Sequence, residues 1–168
     1  THTVPRGSAR KDITAIIPYY ENPRFLVKQV VNFISYPEQD QMNLTVTFVD
    51  DGSPVHPLHE VEFVNDLNAI QWKAFQIEVD VRWNWLAARN IGAHHAEDGW
   101  LLLTDMDHLV PSGTFSALVR GCHDENVIYR FSRREHTGAP LPPHSASFLM
   151  TRRLFWQIGG YDEASVVD

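Results

Sequence analysis

Cysteine is almost missing: Cys122 stands alone among 168 residues. An internal disulfide is therefore excluded, and a reducing, cytoplasmic location is expected. Cys122 itself reads as a small buried apolar residue rather than a catalytic thiol. Long apolar runs are missing too, and with them a membrane span. No segment has the charged start and apolar middle of a secretion signal. Positive charge is short: 14 Lys and Arg stand against 21 Asp and Glu, for a formal net charge of −7. That balance argues against a general binder of nucleic-acid backbones, though not against a local basic pocket. Neither the dinucleotide fingerprint G-x-G-x-x-G nor the phosphate loop G-x-x-x-x-G-K-[ST] occurs. No Cys/His cluster has the spacing of structural zinc. Internal repeats and low-complexity segments are absent.

What remains is an ordinary globular composition, 43% hydrophobic and 21% charged, long enough for one core. Residues 1–10 contain Val4-Pro5-Arg6-Gly7-Ser8, which reads as a protease-site scar of recombinant expression and is set apart from the fold. Residues 11–168 are then expected to form a single domain, with a nucleotide-binding half at 11–107 and an acceptor-side half at 108–168.

The most informative stretch is Trp100-Leu101-Leu102-Leu103-Thr104-Asp105-Met106-Asp107-His108. Its continuous apolar run predicts a strand buried on both faces. In an extended chain Asp105 and Asp107 would project to the same side. Two adjacent carboxylates repel unless a cation sits between them, and a hard divalent ion such as Mn2+ or Mg2+ suits them. The segment alone is equally consistent with a solvated turn.

The surrounding pattern weighs against the turn. Ile13–Pro18 reads as a buried strand, Phe25–Ile34 as a helix and Leu44–Val49 as a second strand. Val61, Val64 and Leu67 suggest a short helix, Phe75–Val81 a half-exposed strand and Leu86–Ala96 a helix before Trp100–Thr104. Strands alternating with helices predict an α/β fold, a mostly parallel Rossmann-like sheet with helices on both faces. Ligands in such folds lie outside the carboxyl ends of the strands. Three strands end there in polar sequence: Tyr19-Tyr20-Glu21-Asn22, Asp50-Asp51-Gly52-Ser53 and Asp105-Met106-Asp107. Further on, Pro111–Arg120 predicts a helix, Asn126–Phe131 and Ser147–Thr151 strands, and Arg152–Ile158 a short helix. Between them Arg133–His144 is a Pro-, Arg- and His-rich loop, a candidate lid.

Five segments occur in one order: Ala15-Ile16-Ile17-Pro18-Tyr19-Tyr20-Glu21-Asn22, Val49-Asp50-Asp51-Gly52-Ser53, Ala87-Ala88-Arg89-Asn90-Ile91-Gly92, Thr104-Asp105-Met106-Asp107 and Gly159-Gly160-Tyr161-Asp162-Glu163. In that order they resemble a family 2-type glycosyltransferase with the GT-A fold. The resemblance implies a metal-dependent, inverting transfer of sugar from a nucleotide-diphosphate donor, a UDP-sugar, to the hydroxyl of a carbohydrate or other acceptor.

It also implies roles. The loop with Pro18, Tyr20 and Glu21 would wall the nucleotide pocket. Asp51 would accept the uracil N3–H, with Asp50 structural. Asn84 would lie where relatives contact the base, and Arg89 would position the pyrophosphate or the acidic residues. Asn90 and Gly92 would pack helix against sheet. Asp105 would bind the ribose and support the metal, and Asp107 would coordinate Mn2+ or Mg2+ directly. His144 is the better placed third ligand, ahead of His136 and His108. Asp162 would be the general base and Glu163 an alternative acceptor contact.

Relatives of this kind continue past the last motif, so a pared-down enzyme and a fragment both stay open. Two rival readings remain. A nucleotidyltransferase would want a Gly- and Lys/Arg-rich loop after the first strand, and Pro18–Asn22 is not one. A non-catalytic sugar-nucleotide-binding domain would keep the donor site without turnover. Trp83, Trp85 and Trp156 read as packing rather than as sugar-stacking residues.

Overall fold

A computed structural model describes residues 11–61, 70–81, 84–135 and 137–166. Six strands form one sheet in the order β3-β2-β1-β4-β8-β5. They are β1 (Ile13–Tyr19), β2 (Leu44–Asp50), β3 (Gln71–Gln76), β4 (Trp100–Leu103), β5 (Tyr129–Arg130) and β8 (Phe148–Thr151). The first four run parallel, whereas β8 is antiparallel to both β4 and β5. The second half of the chain therefore extends the same sheet. β6 (Arg133–Arg134) and β7 (Pro140–Leu141) make a separate small hairpin.

Helices cover both faces, as the alternation predicts. Along β1, Ile13, Ala15 and Ile17 face one core and Ile16 the other; along β4, Trp100 and Leu102 face the first, Leu101 and Leu103 the second. The first core takes α1 (Pro23–Ile34) and α4 (Ser112–Arg120) through Leu26, Val30, Phe33, Phe115 and Val119. The second takes α3 (Trp85–His94) and α5 (Arg152–Gln157) through Ala93, Leu154 and Phe155. A short α2 (Glu38–Gln41) joins α1 to β2. There Asp40, fully buried, accepts hydrogen bonds from Ser116 and Arg120 of α4. Asn22 starts α1 by accepting the Phe25 N–H at 3.3 Å, with Pro23 supplying a preset φ at the first turn.

Several boundaries differ from the expectation, for physical reasons. The half-exposed strand is Gln71–Gln76 rather than Phe75–Val81. Its length is set by its partner: β2 ends at Asp50, whose carbonyl takes a last bond from Ile77 N. Of Asn126–Phe131 only Tyr129–Arg130 pairs, because β8 offers only Phe148 and Leu149 to it. The helix suggested by Val61, Val64 and Leu67 falls mainly on 62–69, outside the described residues. Cys122 is exposed, not buried. It follows Gly121 at the end of α4, where the chain leaves the core.

Gly92 shows how tightly α3 lies on the sheet. A Cβ there would sit 2.4 Å from Ile16 Cγ2. Gly92→Ala should destabilise the domain by about 1–3 kcal/mol through overpacking. Urea unfolding checks this, and an unchanged midpoint would mean that helix and sheet have room to spare.

Candidate active site

The carboxyl ends of β1, β2 and β4 open onto a cleft of about 1020 Å³. Pro18, Tyr19, Tyr20, Asn22 and Phe25 wall one side, Asp51, Asp80 and Trp85 another, and Asp105, Met106, Asp107 and His144–Ala146 the far end. The topology explains the location: these loops all leave the sheet on the same edge.

At the near end two aspartates divide their work. Asp50 is fully buried and accepts the N–H groups of Ser53 at 2.9 Å and Leu58 at 2.7 Å, so it shapes the loop after β2. Asp51 is also buried, yet its Oδ1 has no hydrogen-bond partner. Burial, reinforced by the neighbouring Asp50 and Asp80 charges, pushes the Asp51 carboxyl up to about 7. A buried, unpartnered acceptor in a cleft is an invitation to a donor N–H. Glu21 faces away from this work. Its carboxylate accepts from Val55 N at 2.6 Å and His56 N at 3.0 Å, pinning the loop after β2 to the loop after β1. Asn84 stands at the N-terminus of α3 without a side-chain cap bond and is not among the described residues that line the cleft.

At the far end the strand stops at Leu103, and Asp105–His108 forms a turn closed by His108 N to Asp105 O at 3.1 Å. The extended-chain argument for Asp105 and Asp107 therefore does not apply; the turn separates them. Asp105 is held from below. Arg89, fully buried in α3, bonds Asp105 Oδ1 through Nη2 and donates to the Tyr161 hydroxyl through Nη1 at 2.9 Å. Arg89 is thus a buried member of α3, fully enclosed beneath the site. Asp107 is exposed and lies 4.0 Å from His108 Nε2.

Sequence reasoning missed the residue that shapes this turn. Gln29 of α1 is buried, and its Nε2 lies 3.2, 3.0 and 2.8 Å from the carbonyl oxygens of Asp105, Met106 and His108. The signal was present: Gln29 is the one polar member of the buried stripe Leu26, Gln29, Val30, Phe33.

His144 and Asp105 meet in an informative way. His144 Nδ1 accepts the Ala146 N–H at 3.2 Å, so that nitrogen carries a lone pair and not a proton. The same Nδ1 lies 3.4 Å from Asp105 Oδ2. Burial above all holds His144 below its ordinary pKa and hence neutral. Two lone-pair acceptors thus face each other across a gap that a cation would close. One oxygen and one imidazole nitrogen are suitable donors for Mn2+, and His108 brings the candidate set to three, all within 4.8 Å of one another. The residues present fit a divalent ion. His136, the other candidate, lies outside the described residues.

Asp162 and Glu163 lie in a different place, on the segment after α5. Asn90 of α3 donates to Tyr161 O at 2.9 Å and Glu163 Oε1 at 2.7 Å, and accepts Tyr161 N at 3.0 Å. The Gly-Gly-Tyr-Asp-Glu segment is thereby fastened beside Arg89. Asp162 is exposed, its Oδ1 accepts Ala164 N at 3.0 Å, and neither carboxylate is among the described lining residues.

Residues 14–165 match the family described as glycosyl transferase family 2. The chain belongs to glycosyl transferase family 2. No curated protein sequence matches it. Among solved structures, this family 2 chain resembles the mannosyltransferase PcManGT from Pyrobaculum calidifontis in complex with GDP-Man and Mn2+ at 18% identity and TM-score 0.69, covering 92% of this chain and 48% of that one. It resembles GalNAc-T7 with UDP, GalNAc and Mn2+ at 18% identity and TM-score 0.67, covering 92% and 38%. It resembles S. aureus TarS 1-349 in complex with UDP at 16% identity and TM-score 0.62, covering 91% and 51%. At these identities the likeness is one of fold, the GT-A fold. The family 2 chain spans about half or less of the length of these structures.

Proposed function

We propose that this chain is the donor-binding domain of a glycosyltransferase that moves a sugar from a nucleotide diphosphate, a UDP-sugar, to an acceptor hydroxyl with inversion. One observation carries the reading. A single cleft holds a buried, unpartnered carboxylate oxygen on Asp51 at one end and the opposed lone pairs of Asp105 and His144 at the other. That pair of features in one cleft suits a base with a donor N–H, linked through ribose to a diphosphate that a metal would hold.

Each residue then has a task. Pro18 and Tyr20 wall the base, and Asp51 accepts its N3–H. Glu21 and Asn84 act around this pocket, Glu21 by holding its loops. Arg89 fixes Asp105 so that one oxygen stays turned to the donor. Asp105, Asp107 and His144 would hold Mn2+ or Mg2+, with His108 as a further ligand. Bound there, such an ion would neutralise charge on the leaving diphosphate. Asp162 takes the acceptor proton as the hydroxyl oxygen attacks the anomeric carbon and the bond to the diphosphate breaks; Glu163 contacts the acceptor.

Calorimetric titration of UDP, GDP and CMP, with Mn2+ and with chelator, tests the donor site. UDP should bind only with Mn2+, and Asp107→Ala should weaken it at least tenfold. No nucleotide binding in either condition would overturn the reading. One observation favours a second reading, a binding domain without turnover: Asp162 caps its own turn and Glu163 is tied to Asn90. Nucleotide binding without hydrolysis or transfer of any donor sugar would decide for it.

A further inference from the structure

The described residues that line the cleft include Asp51, Asp80, Asp105 and Asp107 but no lysine or arginine. A diphosphate entering it would meet carboxylates, and one divalent ion leaves that charge incompletely balanced. Arg89 cannot help, since it is sealed under Asp105. Arg134 is turned away and donates to Gly138 O at 3.0 Å.

Arg133 is different. It opens the β6–β7 hairpin, and its Nη1 lies 3.2 Å from His108 Nε2. A guanidinium can only donate, so His108 Nε2 accepts. His108 Nδ1 then carries the proton, toward Ser147 Oγ at 3.4 Å. Arg133 Nε is buried with no hydrogen-bond partner, and among the described residues no carboxylate pairs with this cation. A guanidinium held by one neutral imidazole, with a buried N–H unspent, is poised for an anion. Its place says which one. From Asp105 the contacts run to His144 at 3.4 Å, then to His108 with ring centroids 3.9 Å apart, then to Arg133. Arg133 is thus joined through the two histidines to the Asp105 end of the cleft.

Resting on the donor-site reading above, we propose that Arg133 binds the terminal phosphate of the nucleoside diphosphate, its guanidinium turning from His108 Nε2 to the phosphate oxygens. It is a specificity residue for diphosphate over monophosphate. The exchange also frees the His108 Nε2 lone pair toward the Asp105–His144 pair.

Calorimetry on wild type, Arg133→Gln and Arg133→Lys, with UDP, UMP, GDP and GMP in saturating Mn2+ and with Mn2+ alone, tests this. In Arg133→Gln, diphosphate affinity should fall about ten- to hundredfold, the range of a charge-assisted bond, with monophosphate affinity within about twofold of wild type. Arg133→Lys should recover part of the loss. Mn2+ alone should bind Arg133→Gln at least as tightly, because a positive neighbour has gone. An unchanged diphosphate-to-monophosphate ratio would overturn the proposal, as would a parallel loss of both nucleotides or of Mn2+ itself. If wild type binds no nucleotide, the donor-site reading falls and this proposal with it. If wild type discriminates and Arg133→Gln does so equally, only this proposal falls.

Discussion

Arg89→Ala should destabilise the domain by about 3–5 kcal/mol, the range for removing one partner of a buried ion pair. Melting should drop by roughly 10 °C in a chain of this size. Four contacts go at once. Asp105 Oδ1 loses its partner, and the Tyr161 hydroxyl loses the Nη1 donor at 2.9 Å. The guanidinium carbon also sits 4.8 Å from the Trp85 ring centroid and 5.6 Å from that of Tyr161. A cavity would replace it between α3 and the Gly159–Glu163 segment. Donor affinity should fall at least tenfold as well, since nothing else in the described site orients Asp105 from below.

Stability and site function can be separated. Arg89 Nε is itself buried without a partner, so the pair is an imperfect bargain in energy. The double variant Arg89→Met, Asp105→Asn removes both charges while keeping volume. It should regain much of the lost stability and none of the Mn2+ binding. Thermal melts and Mn2+ titrations of both variants decide the matter. If Arg89→Ala melts within about 2 °C of wild type, the pair does not hold the fold; if the double variant binds Mn2+, Asp105 is not a ligand.

The sheet was legible because its central strands are written as apolar runs. Ile13–Pro18 and Trp100–Leu103 need no knowledge of their neighbours to be recognised as doubly buried. β3 was not legible in the same way, because its alternation continues through Val81 while pairing stops with the end of β2. Length in an edge strand belongs to the partner. At the site, the carboxylates were readable as residue types at strand ends. Their geometry was not: a turn at Asp105–His108 carries the two aspartates, and a glutamine from α1 holds it. The cluster of His108, His144 and Arg133 brings both ends of the Arg133–His144 stretch back to the turn after β4, and no local pattern records such a meeting. The Arg133–His144 stretch read as a loop because its two hairpin pairs are too short to leave a periodicity.

Stability and nucleotide affinity should move in opposite directions with pH, and Asp51 should be the cause. Its carboxyl titrates at about 7 in the folded chain against 3.8 when unperturbed. Between those values the folded state holds a proton that the unfolded state has released. Stability from this group is therefore full below about pH 4 and is lost as pH rises to about 7. The shift corresponds to at most about 4 kcal/mol, and water in the open cleft screens part of it, leaving on the order of 2 kcal/mol. Asp51→Asn removes the titration. It should melt about 4–8 °C above wild type at pH 8 and match it near pH 4. For UDP the ionised acceptor is the stronger one, so wild-type affinity in saturating Mn2+ should rise several-fold from pH 6 to pH 8. Metal binding carries a pH dependence of its own, because ligands must be deprotonated; that contribution persists in Asp51→Asn and is subtracted by comparing the two chains. A pH dependence of UDP binding that is identical in wild type and Asp51→Asn would mean that Asp51 does not receive the base. Equal melting temperatures at pH 8 would mean that its burial carries no charge penalty.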